Sequence, residues 1–170
     1  MDATISLLGP GGLGALVADA IAKNVTVGTA ESLTAGMVAA TIAEISGASA
    51  TLQGGVIAYQ NSVKEKLLGV SAALLATKGA VDPEVACAMA LGVCAAVGAR
   101  LGIATTGVAG PDAHQGKPVG LVYVGVALDG VATAQEFRFS GDREAIRVQA
   151  TQAALALLAA TVKDAREQKL

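Results

Sequence analysis

Apolar positions along the chain alternate between short unbroken runs and longer runs of helical period. The β-branched run 25–29 is short and continuous, as in a strand buried on both faces. An amphipathic pattern over 34–45 follows, and Ser46-Gly47 ends it. A second short run, 54–60, predicts another strand, after which Asn61-Ser62 opens a short helix, 62–68, and a connector with helical patches covers 71–80. Asp82-Pro83 is a helix start, a capping carboxylate before a residue with no N–H to satisfy, and that helix runs to about Gly98. Strands are expected at 102–106, 119–128 and 131–139, the last two joined by Asp129-Gly130, a dipeptide suited to the left-handed positions of a hairpin turn. Helices 12–23 and 142–163 bracket the chain. Strands alternating with helices, plus one hairpin, predict a single α/β domain over 1–170. It should have three layers, α/β/α, around a mixed, mostly parallel five-stranded sheet.

Composition narrows this picture. The chain has 170 residues, 53% of them hydrophobic, but aromatics are only 2% and glycines number 21. The interior must therefore use aliphatic and small side chains, with helices lying close to the sheet. The net charge is −2 and no basic cluster interleaves with aromatics, so no nucleic-acid partner is predicted. No unbroken apolar stretch reaches the ~18 residues of a membrane span and no signal-peptide pattern opens the chain, so a cytoplasmic domain is expected. Cys87 and Cys94 share one helical face and read as buried thiols, and with His114 the single histidine, no metal site is predicted. Gly9, Gly11 and Gly14 match G-x-G-x-x-G, a dinucleotide-binding pattern. The strand before it would be very short and Pro10 stiffens the turn, so it reads better as the lead-in to the first helix.

In open α/β sheets ligands gather at the carboxyl ends of strands. Three such ends are polar or glycine-rich: Glu31-Ser32-x-Thr34, Tyr59-Gln60-Asn61, and Thr106-Gly107-x-x-Gly110. A serine at a strand-to-helix turn has rigid backbone on one side and helix N–H groups on the other, which suits a nucleophile. A Ser32 or Thr34 that merely caps the helix has the same spacing. Lys64 can point back over the sheet and, when uncharged, accept a serine proton; a solvated lysine beside Glu65 and Lys66 would look identical. The Thr106–Gly110 loop offers backbone N–H groups to an oxyanion or phosphate, or is an ordinary turn. Arg143 lies in the first turn of the last helix, where a cation is disfavoured unless an anion is present. With Arg147 it can hold a phosphate, or both can pair with Asp142 and Glu144.

These segments together resemble the CinA C-terminal domain family, the nicotinamide-nucleotide amidases. The resemblance rests on Thr29-Ala30-Glu31-Ser32-Leu33-Thr34-Ala35-Gly36, Gly54-Gly55-Val56-Ile57-Ala58-Tyr59-Gln60-Asn61 with Lys64, and Gly79-Ala80-Val81-Asp82-Pro83. It continues through Thr106-Gly107-Val108-Ala109-Gly110-Pro111-Asp112, Lys117-Pro118-Val119-Gly120, and Ser140-Gly141-Asp142-Arg143 with Arg147. The ordered set is far more specific than any one piece.

The resemblance implies hydrolysis of the carboxamide of nicotinamide mononucleotide to nicotinate mononucleotide and ammonia. Ser32 would be the nucleophile, Lys64 its base and Tyr59 a proton-transfer aid, with no metal or cofactor required. Substrate contacts fall to Thr106, Gly107, Gly110 and Arg143, and further to Thr34 and Asn61. The family commonly has Cys and Gly where this chain has Leu33 and Ala35. Leu33 is expected to face the core, and Ala35 to add a methyl where backbone approaches substrate. The loop 112–117 is shorter than usual and lacks the family's paired glycines. A non-catalytic interaction protein linked to competence or DNA damage is the alternative. The small-residue helix face 85–98 is compatible with a homo-oligomer or with tight packing inside one chain.

Overall fold

The computed structural model describes residues 12–166. In chain order the elements are α1 (Gly12–Ala22), β1 (Val27–Glu31), α2 (Met37–Ala43), a 3₁₀ turn (Ala48–Ala50), β2 (Leu52–Ile57) and α3 (Asn61–Leu68). Then come α4 (Ala72–Lys78), α5 (Pro83–Val97), β3 (Leu101–Gly107), β4 (Leu121–Leu128), β5 (Val131–Arg138) and α6 (Arg143–Asp164). The strands form one sheet in the order β2-β1-β3-β4-β5. β1 pairs in parallel with β2 and β3, and β3-β4-β5 is antiparallel, so only β4 runs against the rest. The sheet is mixed and mostly parallel, between two helical layers.

The layers differ because the strands alternate bulky and small residues. Val27, Leu101, Ile103, Val124 and Val126 face α1, α2 and α6, where they join Leu16, Val38, Ile42, Ile146 and Leu155. On the other face, Ala30, Ala104 and Ala127 meet Val85, Met89 and Val93 of α5, flanked by Leu68 and Leu75 of α3 and α4. Glycines let α5 sit almost on the backbone of the sheet: a Cβ at Gly102 would lie 2.1 Å from the Ala90 carbonyl oxygen, and one at Gly125 2.3 Å from that of Ala86. The small-residue face at 85–98 is thus used largely inside the chain. Among the described residues α6 alone is long and apolar enough to cross a membrane by length and composition. The count of unbroken apolar residues overlooked it because Gln149 and Gln152 interrupt the run. In this fold its apolar face packs on the sheet.

Several boundaries shift for identifiable reasons. β1 extends to Glu31, past the expected end at Thr29, because a carboxylate there finds partners inside the fold. α2 starts at Met37 rather than 34, since Ala35 (φ 50°) and Gly36 (φ 99°) form a left-handed turn. The connector condenses into α4, capped by the Ser71 hydroxyl. Cys87 and Cys94 are free and only half-buried on the flank of α5, with burial pushing both thiols up. Of the three glycines matching the dinucleotide-binding pattern, Gly9 and Gly11 lie outside the described residues, and Gly14 is within α1.

Candidate active site

Glu31 is the last residue of β1 and is almost wholly buried. Its carboxylate accepts hydrogen bonds from the backbone N–H groups of Gly36 (2.9 Å), Val38 (3.0 Å) and Ala39 (2.9 Å). These are the orphan donors at the start of α2, and a carboxylate there also meets the positive end of the helix dipole. The start of α2 is therefore capped by Glu31, and neither Ser32 nor Thr34 caps it. The signal was an acidic residue at a strand end ahead of a helix with no capping side chain of its own. Thr34 is fully buried, with its hydroxyl 2.7 Å from that of Thr105, and does not reach the cavity.

The turn between β1 and α2 is fastened from both ends. Ser32 donates its N–H to the Thr105 carbonyl at 3.0 Å. Arg147 donates Nε to the Leu33 carbonyl at 2.9 Å and Nη2 to that of Thr34 at 3.3 Å. Arg147 thus holds the serine turn and is not a second phosphate cation beside Arg143. With its backbone fixed and its hydroxyl not spent on capping, Ser32 borders a cavity of about 510 Å³, within the size range of small-molecule sites.

α3 supplies Lys64, which is 1% exposed. Its Nζ lies 2.6 Å from the Ala58 carbonyl oxygen, 3.4 Å from that of Tyr59 and 3.1 Å from Ser32 Oγ. Desolvation by burial lowers its pKa from 10.5 to about 8, because a charged amine loses hydration there. A neutral amine has two N–H groups and one lone pair. Two carbonyls and one hydroxyl suit both forms: the ammonium donates to all three, and the neutral amine donates to the carbonyls and accepts from the hydroxyl.

Tyr59, Asn61, Thr106, Gly107, Gly110 and Arg143 line the same cavity, so of the expected site residues Thr34 and Arg147 are kept out. Thr106 is buried and donates its hydroxyl to the Ala80 carbonyl at 2.6 Å, tying the α4–α5 connector to β3. Arg143 donates Nη1 to the Gly110 carbonyl (2.8 Å) and Nη2 to the Tyr59 hydroxyl (2.6 Å). It makes no ion pair with Asp142 or Glu144; Asp142 caps α6 by accepting from Ala145 N–H. The Tyr59 hydroxyl is therefore bonded to Arg143, while the Tyr59 carbonyl faces Lys64.

The model of the CinA C-terminal domain matches residues 13–162, nearly the whole described chain. The chain belongs to the CinA C-terminal domain family. It is 47% identical over 135 residues to a putative competence-damage inducible protein of Desulforamulus reducens, covering 79% of this chain and 33% of that one. A protein of the same description from Moorella thermoacetica is also 47% identical, over 138 residues, covering 81% of this chain and 33% of its own. The chain thus spans about a third of the length of these curated relatives. Solved CinA-superfamily structures match it almost end to end. One from Klebsiella pneumoniae has a TM-score of 0.88 at 31% identity, covering 95% of this chain and 99% of that chain. One from Escherichia coli has a TM-score of 0.86 at 30% identity, covering 94% and 91%.

Against the CinA pattern, the departures have local explanations. Leu33 belongs to the core, as expected. Ala35 does not line the cavity; its position takes a left-handed φ of 50°, a conformation that a glycine would adopt at lower cost. The short 112–117 loop is closed, with His114 and Lys117 exchanging backbone hydrogen bonds of 3.0 and 2.9 Å around Gln115 and Gly116. Gln115 Oε1 accepts from Ala80 N–H at 3.3 Å, so the loop stands as a wall. His114 and Gln115 line the cavity, a role that sequence reading did not give them. Among the described residues no group of three or more His, Cys, Asp or Glu stands together as a metal site.

Proposed function

We propose that this CinA domain is an amidohydrolase that converts nicotinamide mononucleotide to nicotinate mononucleotide and ammonia in the cytoplasm. The observation that carries the reading is the buried Lys64 Nζ, 3.1 Å from Ser32 Oγ at the cavity wall. Neutral Lys64 donates its two hydrogens to the Ala58 and Tyr59 carbonyls and accepts the Ser32 proton on its lone pair. Ser32 Oγ bonds to the carboxamide carbon, and the charge that develops on the carbonyl oxygen is met by the backbone N–H groups of Ala109 and Gly110, since that of Val108 is held by the Leu121 carbonyl. As the C–N bond breaks, the proton on Lys64 passes by way of the Tyr59 hydroxyl to the departing nitrogen, giving ammonia. Water, deprotonated by Lys64, then cleaves the acyl-serine ester and releases the acid. Arg143 takes the substrate phosphate at the rim and Asn61 the ribose.

Ammonia release from nicotinamide mononucleotide by chelator-treated protein, run beside Ser32→Ala, tests the reading. Turnover in the first and none in the second supports it. A folded protein that releases no ammonia would refute it and would favour a non-catalytic interaction role.

A further inference from the structure

Two facts about Tyr59 need reconciling. Proton transfer asks for its hydroxyl near Ser32, yet that hydroxyl is bonded to Arg143 at 2.6 Å. Arg143 bridges two walls of the cavity, with one outer nitrogen on Tyr59 of the β2–α3 corner and the other on the Gly110 carbonyl of the glycine loop. Both acceptors are neutral, and no carboxylate among the described residues pairs with the guanidinium.

A phosphate dianion prefers that same outer edge. Two parallel bonds from one guanidinium to a dianion add Coulomb attraction that the neutral Tyr59 and Gly110 acceptors lack. A phosphate bridging both outer nitrogens competes with Tyr59 and Gly110 for them. Tyr59 has room to respond, since it is 49% exposed, while its carbonyl stays anchored 3.4 Å from Lys64 Nζ. Rotation of its side chain alone moves the hydroxyl.

We propose that the substrate's phosphate is a switch as well as a handle: by taking Arg143 it releases the Tyr59 hydroxyl for proton transfer. This rests on the amidase reading above and adds to it that phosphate acts on kcat, not on KM alone. A nucleotide is then selected over its dephosphorylated nucleoside in the chemical step.

Tyr59 and Tyr123 are the two tyrosines and there is no tryptophan. Tyr123 is bonded to Glu136, away from the cavity lining, so Tyr123→Phe leaves Tyr59 as the reporter. Titrating inorganic phosphate into Tyr123→Phe at constant ionic strength should change Tyr59 emission saturably, and adding Arg143→Ala should abolish the change. An unresponsive Tyr59, or a response that survives Arg143→Ala, overturns the switch whether or not the protein is an amidase. In turnover, kcat for nicotinamide riboside should fall about a hundredfold below that for the mononucleotide. In Arg143→Ala, where Tyr59 is always free, the two values should converge while KM for the mononucleotide rises. Equal kcat values in the wild type, with only KM differing, would sink the switch and leave the amidase standing. Failure to hydrolyse the mononucleotide would sink the amidase reading and with it a switch coupled to turnover.

Discussion

Lys64 should make the stability of this protein depend on pH in a way that needs no substrate to measure. Its amine is buried without a carboxylate partner, and its pKa falls from 10.5 to about 8. At about 1.4 kcal/mol per tenfold change in proton affinity, that difference corresponds to about 3 kcal/mol. Between pH 8 and pH 10.5 the unfolded chain holds the proton and the folded chain has released it. Stability therefore rises with pH across that window, is fully gained above about 10.5, and is lost as pH falls through about 8. Lys64→Met removes the titration. It also deprives the Ala58 carbonyl of a donor, at a cost of about 1–3 kcal/mol that does not vary with pH. Urea unfolding of both proteins from pH 7 to 10.5 should give a difference curve that climbs by about 3 kcal/mol in favour of the wild type. Parallel curves would refute a desolvated amine at position 64. The same proton sets the rate: about a tenth of the amine is neutral at pH 7 and about nine-tenths at pH 9, so kcat/KM should rise about tenfold between them.

Lys64→Arg keeps a cation but supplies no base, and ammonia release should drop by about a thousandfold or more; a loss under tenfold would rule out proton acceptance by Lys64. Glu31→Gln replaces an acceptor oxygen facing helix N–H groups with an amide donor. It should destabilise the fold by about 2–4 kcal/mol in denaturant melts and lower kcat through a loosened serine turn, and an unchanged melt would deny Glu31 its capping role. Ala35→Gly relieves a left-handed φ of 50° and should raise stability by about 0.5–1 kcal/mol, read as a Tm a few degrees higher; a lower Tm would show that the alanine is not strained.

The order of elements was legible because alternating runs of bulky, small and polar residues report which face of a strand or helix is covered. Asp82-Pro83 and Asp129-Gly130 mark a helix start and a hairpin through their own backbone preferences, and both lie where expected. Ser32, Tyr59, Asn61, Thr106, Gly107 and Gly110 could be picked out because strand ends collect polar residues, Lys64 from the helix after one such end and Arg143 from the first turn of a helix, and in the fold they border one cavity. What each does there was a matter of three dimensions. Thr34 and Thr106 have the same side chain at the same kind of strand end, yet one hydroxyl is spent on Thr105 and the other on Ala80. Arg143 and Arg147 share a helix face, but Arg143 reaches across the cavity mouth to Tyr59 and Gly110 while Arg147 turns to the Leu33 and Thr34 carbonyls. Glu31 read only as part of a polar strand end, and it is a cap because α2 presents three N–H groups to it. Local pattern reaches only residues a few positions apart, because turn chemistry and periodicity are properties of neighbouring backbone. A hydrogen-bond partner a hundred residues away, or the desolvation that lowers the pKa of Lys64, exists only once tertiary packing has brought the elements together and excluded water.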